Sequence, residues 1–135
     1  MPLPLRIVTP ESEIFSGEVD IAVLPGFKGE MGVLPQHAPL VTTLHPGELS
    51  YTIGDQTKEL AVGEGLVEIT FEGISVLTDL ALGEDEIDEE IVEAAMKKAQ
   101  EALDELSDPE EAALTEALIQ KSMAQLDLKR KRRRV

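Results

Sequence analysis

The chain has 135 residues, 42% apolar but only 3% aromatic, and a formal net charge of −15. That composition predicts one aliphatic core, or a small domain with an appendage, and excludes nucleic-acid binding by base stacking. With no cysteine, neither disulfides nor thiolate metal sites can form.

In chain order, Met1-Pro2-Leu3-Pro4-Leu5-Arg6 lacks the charged and apolar regions of a secretory signal. The apolar runs are far shorter than the ~20 residues that span a bilayer, so a soluble, cytoplasmic chain is expected. Leu5 to Thr9 predicts a strand ending at Pro10. Glu18 to Val23 alternates polar and apolar, which suits one strand with one buried face. Gly26 to Leu40 has glycines at 26, 29 and 32, a short apolar run from Met31 to Leu34, and then Pro35 and Pro39 around His37. Glycine permits unusual backbone angles and close approach, and proline stiffens the segment before it. A loop, a very short strand and an extended segment are expected, and the prolines exclude the helix that a dinucleotide fingerprint needs. Glu48 to Ile53, Glu59 to Val62, Leu66 to Phe71 and Ile74 to Thr78 follow as strands, separated by Gly54-Asp55, Gly63-Glu64-Gly65 and Glu72-Gly73. About nine short strands in all point to an antiparallel sandwich or barrel.

After Gly83 the period changes to that of a helix. Ile87, Ile91, Ala95, Ala99, Leu103 and Leu106 form one stripe, and Asp85 or Asp88 can cap its start. Ser107-Asp108-Pro109 breaks the helix, with Asp108 as the next N-cap, Pro109 at the first helical position and Glu111 completing a capping box. The second helix is expected from Pro109 to about Lys129, with Ala113, Ala117 and Ala124 beside Leu114, Leu118, Ile119, Met123 and Leu126 as its apolar face. The fold class is therefore α+β by segments: an antiparallel β-sandwich over 1–83, then an antiparallel two-helix hairpin over 84–135. The predicted hairpin interface sets Ala94, Ala95, Ala99 and Ala102 against Ala112, Ala113, Ala117 and Ala124. Alanine contacts bury little, so the hairpin needs the sandwich or another partner to stay closed. It is either a moving part or a hairpin packed permanently on the sheet.

All acidic residues precede Leu128, and six of the last seven residues are basic: Lys129, Arg130, Lys131, Arg132, Arg133 and Arg134. The rest of the chain carries about −21 and repels nucleic acid and anionic lipid. Folding the hairpin brings this tail beside Glu84, Asp85, Glu86, Asp88, Glu89 and Glu90. The tail then either pairs with those acids or frays as a solubilising end. No nucleophile–base set, phosphate loop or metal cluster is present in the sequence, so no enzyme is expected.

The block Gly29-Glu30-Met31-Gly32-Val33-Leu34-Pro35-Gln36-His37-Ala38-Pro39-Leu40 resembles the epsilon subunit of the F-type ATP synthase, called delta in mitochondria. Phe15-Ser16-Gly17, Pro46-Gly47 and the alanine-rich hairpin with its basic end extend the resemblance over essentially the whole chain. The resemblance implies a non-catalytic central-stalk subunit on the cytoplasmic face of the inner membrane, attached to the membrane only through the complex. It implies gamma and the c-subunit ring as partners of the sandwich. It further implies that the hairpin extends into the alpha/beta catalytic head and restrains ATP hydrolysis. A purely structural coupling subunit, and a binder of nucleic acid or anionic surfaces through the tail, are the alternatives.

Matched residue by residue, Glu30 faces the c-ring loops, Gly29 and Gly32 shape its loop, and His37, Ala38 and Pro39 lie near the gamma and c-ring contacts. His37 reads equally as a turn histidine bonded to backbone, and a lone histidine is a poor metal candidate. Lys129 to Arg134 are expected to meet an acidic loop of beta when the hairpin extends. Some relatives bind ATP through Ile-Asp or Leu-Asp followed, after two residues, by Arg-Ala. Here Ile87-Asp88 are followed by Glu89-Glu90 and then Ile91-Val92, so weak or no ATP binding is expected and no cofactor is assigned.

Overall fold

The computed structural model describes residues 3–133, with side chains described as far as Lys131. Ten strands come first: β1 (Leu3–Val8), β2 (Glu13–Val19), β3 (Ile21–Gly26), β4 (Gly29–Val33), β5 (Leu40–Leu44), β6 (Gly47–Ile53), β7 (Gln56–Val62), β8 (Gly65–Thr70), β9 (Gly73–Thr78) and β10 (Ala81–Gly83). A 3-10 turn (Glu84–Glu86) leads to two helices, α1 (Glu89–Leu103) and α2 (Pro109–Arg133).

The strand order is β10-β7-β6-β3-β5-β8-β9-β1-β2, with β4 branching from β3. One residue pair, Gly26 opposite Leu44, joins β3 to β5. At that narrow link the path folds into two layers, and β2 comes back against β6. Phe15 and Tyr51 meet there with ring centroids 4.3 Å apart. Between the layers lies an aliphatic core that includes Leu5, Ile7, Leu24, Leu49, Leu60, Val67, Ile69 and Val76. Alternating strand geometry sends these residues inward and their neighbours outward. The sandwich is antiparallel except where β1 pairs with β9 in parallel.

Two strand expectations change. Glu18 to Val23 is not one strand but the corner between β2 and β3. Asp20 makes that corner: its N–H donates to the Thr52 carbonyl at 2.8 Å, and its carboxylate accepts from the Gly54 N–H at 2.7 Å. The expected nine strands become ten, with β2, β5 and β10 outside the sequence reading.

The helices begin as their caps predict. The Asp88 carboxylate accepts from the Ile91 N–H at 3.2 Å, and that of Asp108 from the Glu110 N–H at 2.9 Å. The faces they bury match the expected ones only in part: Ala99 and Leu103 on α1 and Ala124 and Leu126 on α2 turn inward as expected, and others do not. On α1, Ile91 and Ala95 are exposed, and Val92, Met96, Ala99 and Leu103 turn inward. Ile87 precedes the helix and is buried with Ala61, Ala124 and Leu128. On α2, Leu114, Leu118 and Met123 are exposed, whereas Ser122, Ala124, Leu126 and Leu128 are buried. Ala94, Ala95, Ala102 and Ala113 are also exposed rather than in the interface. The physical reason is that α2 is covered on two sides, by the outer face of β6 and β7 and by α1. A single-stripe reading assumes one covered side.

Candidate functional site

Three regions carry the candidate residues. The first is the β3–β4 hairpin. Gly26 pairs with Gly29, leaving Phe27 and Lys28 as the turn. Gly29 has φ +107, a geometry that glycine adopts readily, so its role in shaping the loop is backbone chemistry. Gly32 has ordinary strand geometry with open space around its Cα, so nothing local requires glycine there. Glu30 is exposed beside the tip. Phe27 is 69% exposed, and its ring lies 5.8 Å from that of His45.

After β4 the chain turns at Pro35-Gln36, with Gln36 at φ +69. The His37 N–H donates to the Leu34 carbonyl at 3.2 Å, and Nδ1 contacts the Ala38 carbonyl at 2.7 Å. His37 is therefore bonded to backbone, and Ala38 and Pro39 are exposed. Glu30 lies near the start of β4 and the His37–Pro39 segment follows its end, which is about 10 Å further along the strand at Val33. The sequence block is contiguous, but it supplies two separate surfaces.

The second region is the outer face of β5, β8, β9 and β1. Register aligns Thr43, Leu66, Leu77 and Val8 in one row, and Val41, Glu68, Ser75 and Arg6 in the next. Val41, Leu66 and Leu77 are 61%, 41% and 51% exposed. A depression of about 230 Å³ opens among Arg6, Val8, Leu66, Glu68, Ser75 and Leu77. A second, of about 400 Å³, continues past Val8 and Leu77 to Pro10 and Asp79. An apolar patch on a face that water should own marks a contact surface. Sequence reasoning missed it. The available signal was leucine at 66 and 77, in positions whose strand parity matches Glu68 and Ser75.

The third region is the basic end of α2. Lys129 pairs with Glu84 at 3.2 Å and also donates to the Glu84 carbonyl. Arg130 binds Glu89 at 3.0 Å and also Glu93, both on α1. Lys131 does not go to helix one: it pairs with Glu48 of β6 at 3.5 Å and with Glu59 of β7. The hydrogen bond that Arg130 donates to Glu89 leads in holding its guanidinium more firmly protonated, and the one that Lys131 donates to Glu59 does the same for its ammonium. Burial pushes the Glu48 carboxyl above 4.5, against the opposing pull of Lys131. Arg132 and Arg133 lie in the last turn of α2, and Arg134 lies outside the described residues.

The Ile87-Asp88 pair offers little to a nucleotide. Ile87 is 4% exposed and Asp88 uses its carboxylate as a cap. The cavity beside them, about 550 Å³, is lined by Asp85, Glu86, Asp88, Glu89 and Glu90, with Lys129 as the sole cation of the lining. Five carboxylates repel phosphate. Among the described residues, no group of three or more His, Asp or Glu is arranged to hold a metal ion. No helix among them is long and apolar enough to cross a membrane.

Known proteins share this architecture. A family described as "ATP synthase, Delta/Epsilon chain, beta-sandwich domain" matches residues 2–84. The ATP synthase epsilon chain of Laribacter hongkongensis is 41% identical over 124 residues, covering 90% of this chain and 89% of that one. That of Dehalococcoides mccartyi is 41% identical over 133 residues, covering 98% and 95%. Among solved structures, a chain of the Euglena gracilis mitochondrial ATP synthase (OSCP/F1/c-ring) superposes with TM-score 0.78 at 22% identity, over 93% of this chain and 79% of that one. The resemblance read from Gly29 to Leu40 therefore holds across almost the full length, and the chain belongs to the ATP synthase delta/epsilon family, alongside the bacterial epsilon chains.

Proposed function

We propose that this chain is a non-catalytic subunit of the central stalk of an F-type ATP synthase, at the cytoplasmic face of the membrane. Its sandwich links gamma to the c-ring, and its helical hairpin restrains ATP hydrolysis when it leaves the sandwich. The carrying observation is the contrast between the two outer faces of the sandwich. Helix α2 covers β6 and β7, whereas β5, β8, β9 and β1 keep Val41, Leu66 and Leu77 in water. Gamma is the partner assigned to that open face, and the Phe27–Glu30 tip is assigned to the polar loops of the c-ring. Family membership supports both assignments, as does the OSCP/F1/c-ring assembly of the Euglena relative in fold.

The inhibitory part rests on the tail. Lys129, Arg130 and Lys131 are held by carboxylates of this same chain, and an acidic loop of beta offers the same chemistry. Closed and extended hairpins thus compete for one set of cations. The alternative of an anionic-surface or nucleic-acid binder is disfavoured, because Arg130 and Lys131 are already neutralised by Glu89, Glu93, Glu48 and Glu59.

Leu66→Glu with Leu77→Glu tests the docking assignment. The double variant is expected to keep its fold and to lose about tenfold or more in affinity for gamma, because a charge buried at an interface without a partner is strongly unfavourable. Affinity unchanged in titration calorimetry would move the docking surface elsewhere.

A further inference from the structure

Helical periodicity sorts the cations of α2 by the neighbour each one holds. Lys121, Ala124, Leu128 and Lys131 recur at three- and four-residue spacing and share one face. That face is turned to the sandwich. Ala124 and Leu128 bury against Ala61 of β7. Lys121 pairs with Asp79 in the β9–β10 link, and Lys131 with Glu48 and Glu59. Arg130 leaves by another face and reaches Glu89 and Glu93 of α1. The sandwich-facing stripe is thus one alanine and one leucine between two lysines. With Ala61, Ile87 and the partly buried Leu82 and Val92 this remains a small apolar cluster, so the ionic ends add materially to holding α2.

Gly63 makes the first of those ends possible. A Cβ at this position would lie 2.0 Å from Oδ1 of Asp79, 3.1 Å from its Cγ and 3.2 Å from Cε of Lys121. The position lies outside the left-handed region, so it is the missing side chain that matters rather than backbone freedom. The Gly63 N–H donates to the Leu80 carbonyl at 3.0 Å, which fixes the corner carrying Asp79 above it.

We propose that Lys121–Asp79, seated on Gly63, and Lys131–Glu48/Glu59 form a two-point ionic latch that holds α2 to the sandwich. The points are ten residues apart, about 15 Å along the helix. Neither point involves α1, so the latch releases without breaking the Arg130 pairs, and the Lys129–Glu84 pair, on the 3-10 turn that links the sandwich to α1, is separate from both points. The proposal deepens the regulation proposed above and rests on that reading only for its consequence, since the latch itself is a property of the isolated chain.

The chain has no cysteine, so Gln56→Cys and Met123→Cys, both at exposed positions, allow two spin labels to report the distance from sandwich to α2. In the full-length labelled chain, Lys121→Ala and Asp79→Ala are each expected to raise the open-to-closed ratio about 2- to 5-fold. Raising salt from about 0.05 to 1 M should open the parent further than either variant, because it still has both points to screen. Arg130→Ala is expected to leave the distance unchanged. Gly63→Ala should open the hairpin in the parent and add little in the Asp79→Ala background, since its main obstacle is then gone and the freed Lys121 side chain can swing aside. Lys121→Asp with Asp79→Lys should restore closure.

An unchanged distance in Lys121→Ala and Asp79→Ala, with helix content intact by circular dichroism, would overturn the latch. So would full additivity of Gly63→Ala and Asp79→Ala. Latch variants that open in isolation, yet leave ATP hydrolysis by the reconstituted synthase unchanged, would support the latch and overturn the inhibitory reading.

Discussion

Gly65 sits where β8 meets β9, and a Cβ there would lie 1.8 Å from the Leu77 carbonyl oxygen. The obstacle is backbone and cannot swing aside. Gly65→Ala is therefore expected to destabilise the chain by about 1–3 kcal/mol in denaturant unfolding, by forced overpacking. Glu48 gives the pH dependence at this scale. Its carboxyl is raised above 4.5 mainly by burial, so the folded chain holds that proton more tightly than the unfolded one. The contribution is full below 4.5 and is lost as pH rises through the raised value. Glu48→Gln removes the penalty of ionising there and leaves Glu59 to hold Lys131. It should be neutral to stabilising at neutral pH, by under about 1 kcal/mol, and the difference should shrink on acidification. Loss of stability at neutral pH would make the Glu48–Lys131 contact dominant instead. The caps at Asp88 and Asp108 were legible in the sequence, because capping depends on nearby residues alone.

Helix α2 explains what the sequence could not convey about the elements. Its ends were readable from Pro109 and the basic run, but its buried faces were not. Ala124 and Leu128 face the sheet, while Ser122 and Leu126 share the face from which Arg130 reaches α1. Two covered sides leave no single stripe, so the leucines at 114 and 118 were mistaken for core. Unfolding of two variants separates these roles. Leu126→Ala should lose about 2–5 kcal/mol, and Leu114→Ala no more than about 0.5. A large loss at Leu114 would place the core on the face the sequence suggested. The β2–β3 corner has a similar cause. Polar and apolar residues alternate from Glu18 to Ile21 straight through the corner, and the turn at Asp20 depends on hydrogen bonds to Thr52 and Gly54, over thirty residues away.

On the scale of the whole molecule, the order of sandwich and then hairpin was evident from the change of period after Gly83. The apolar face was not. Leu66 and Leu77 become a patch only when β8 and β9 pair in register and bring Val8 alongside. The Gly29–Pro39 block was legible as a signature, but its division into a tip at Glu30 and a backbone-bonded turn at His37 needed the strand between them. The resulting molecule has one sandwich face closed by a thin, ionic contact with α2 and one left open and apolar. Under the proposed docking of the open face on gamma, the other face can be released without losing that attachment.

The most direct test compares ATP hydrolysis by a synthase reconstituted with the full chain and with a chain lacking residues 129–135. The account predicts that deletion raises hydrolysis several-fold while ATP synthesis is retained, because the sandwich still docks and the inhibitory cations are gone. Equal hydrolysis by the two enzymes would contradict it, leaving a subunit that couples the rotor without restraining it.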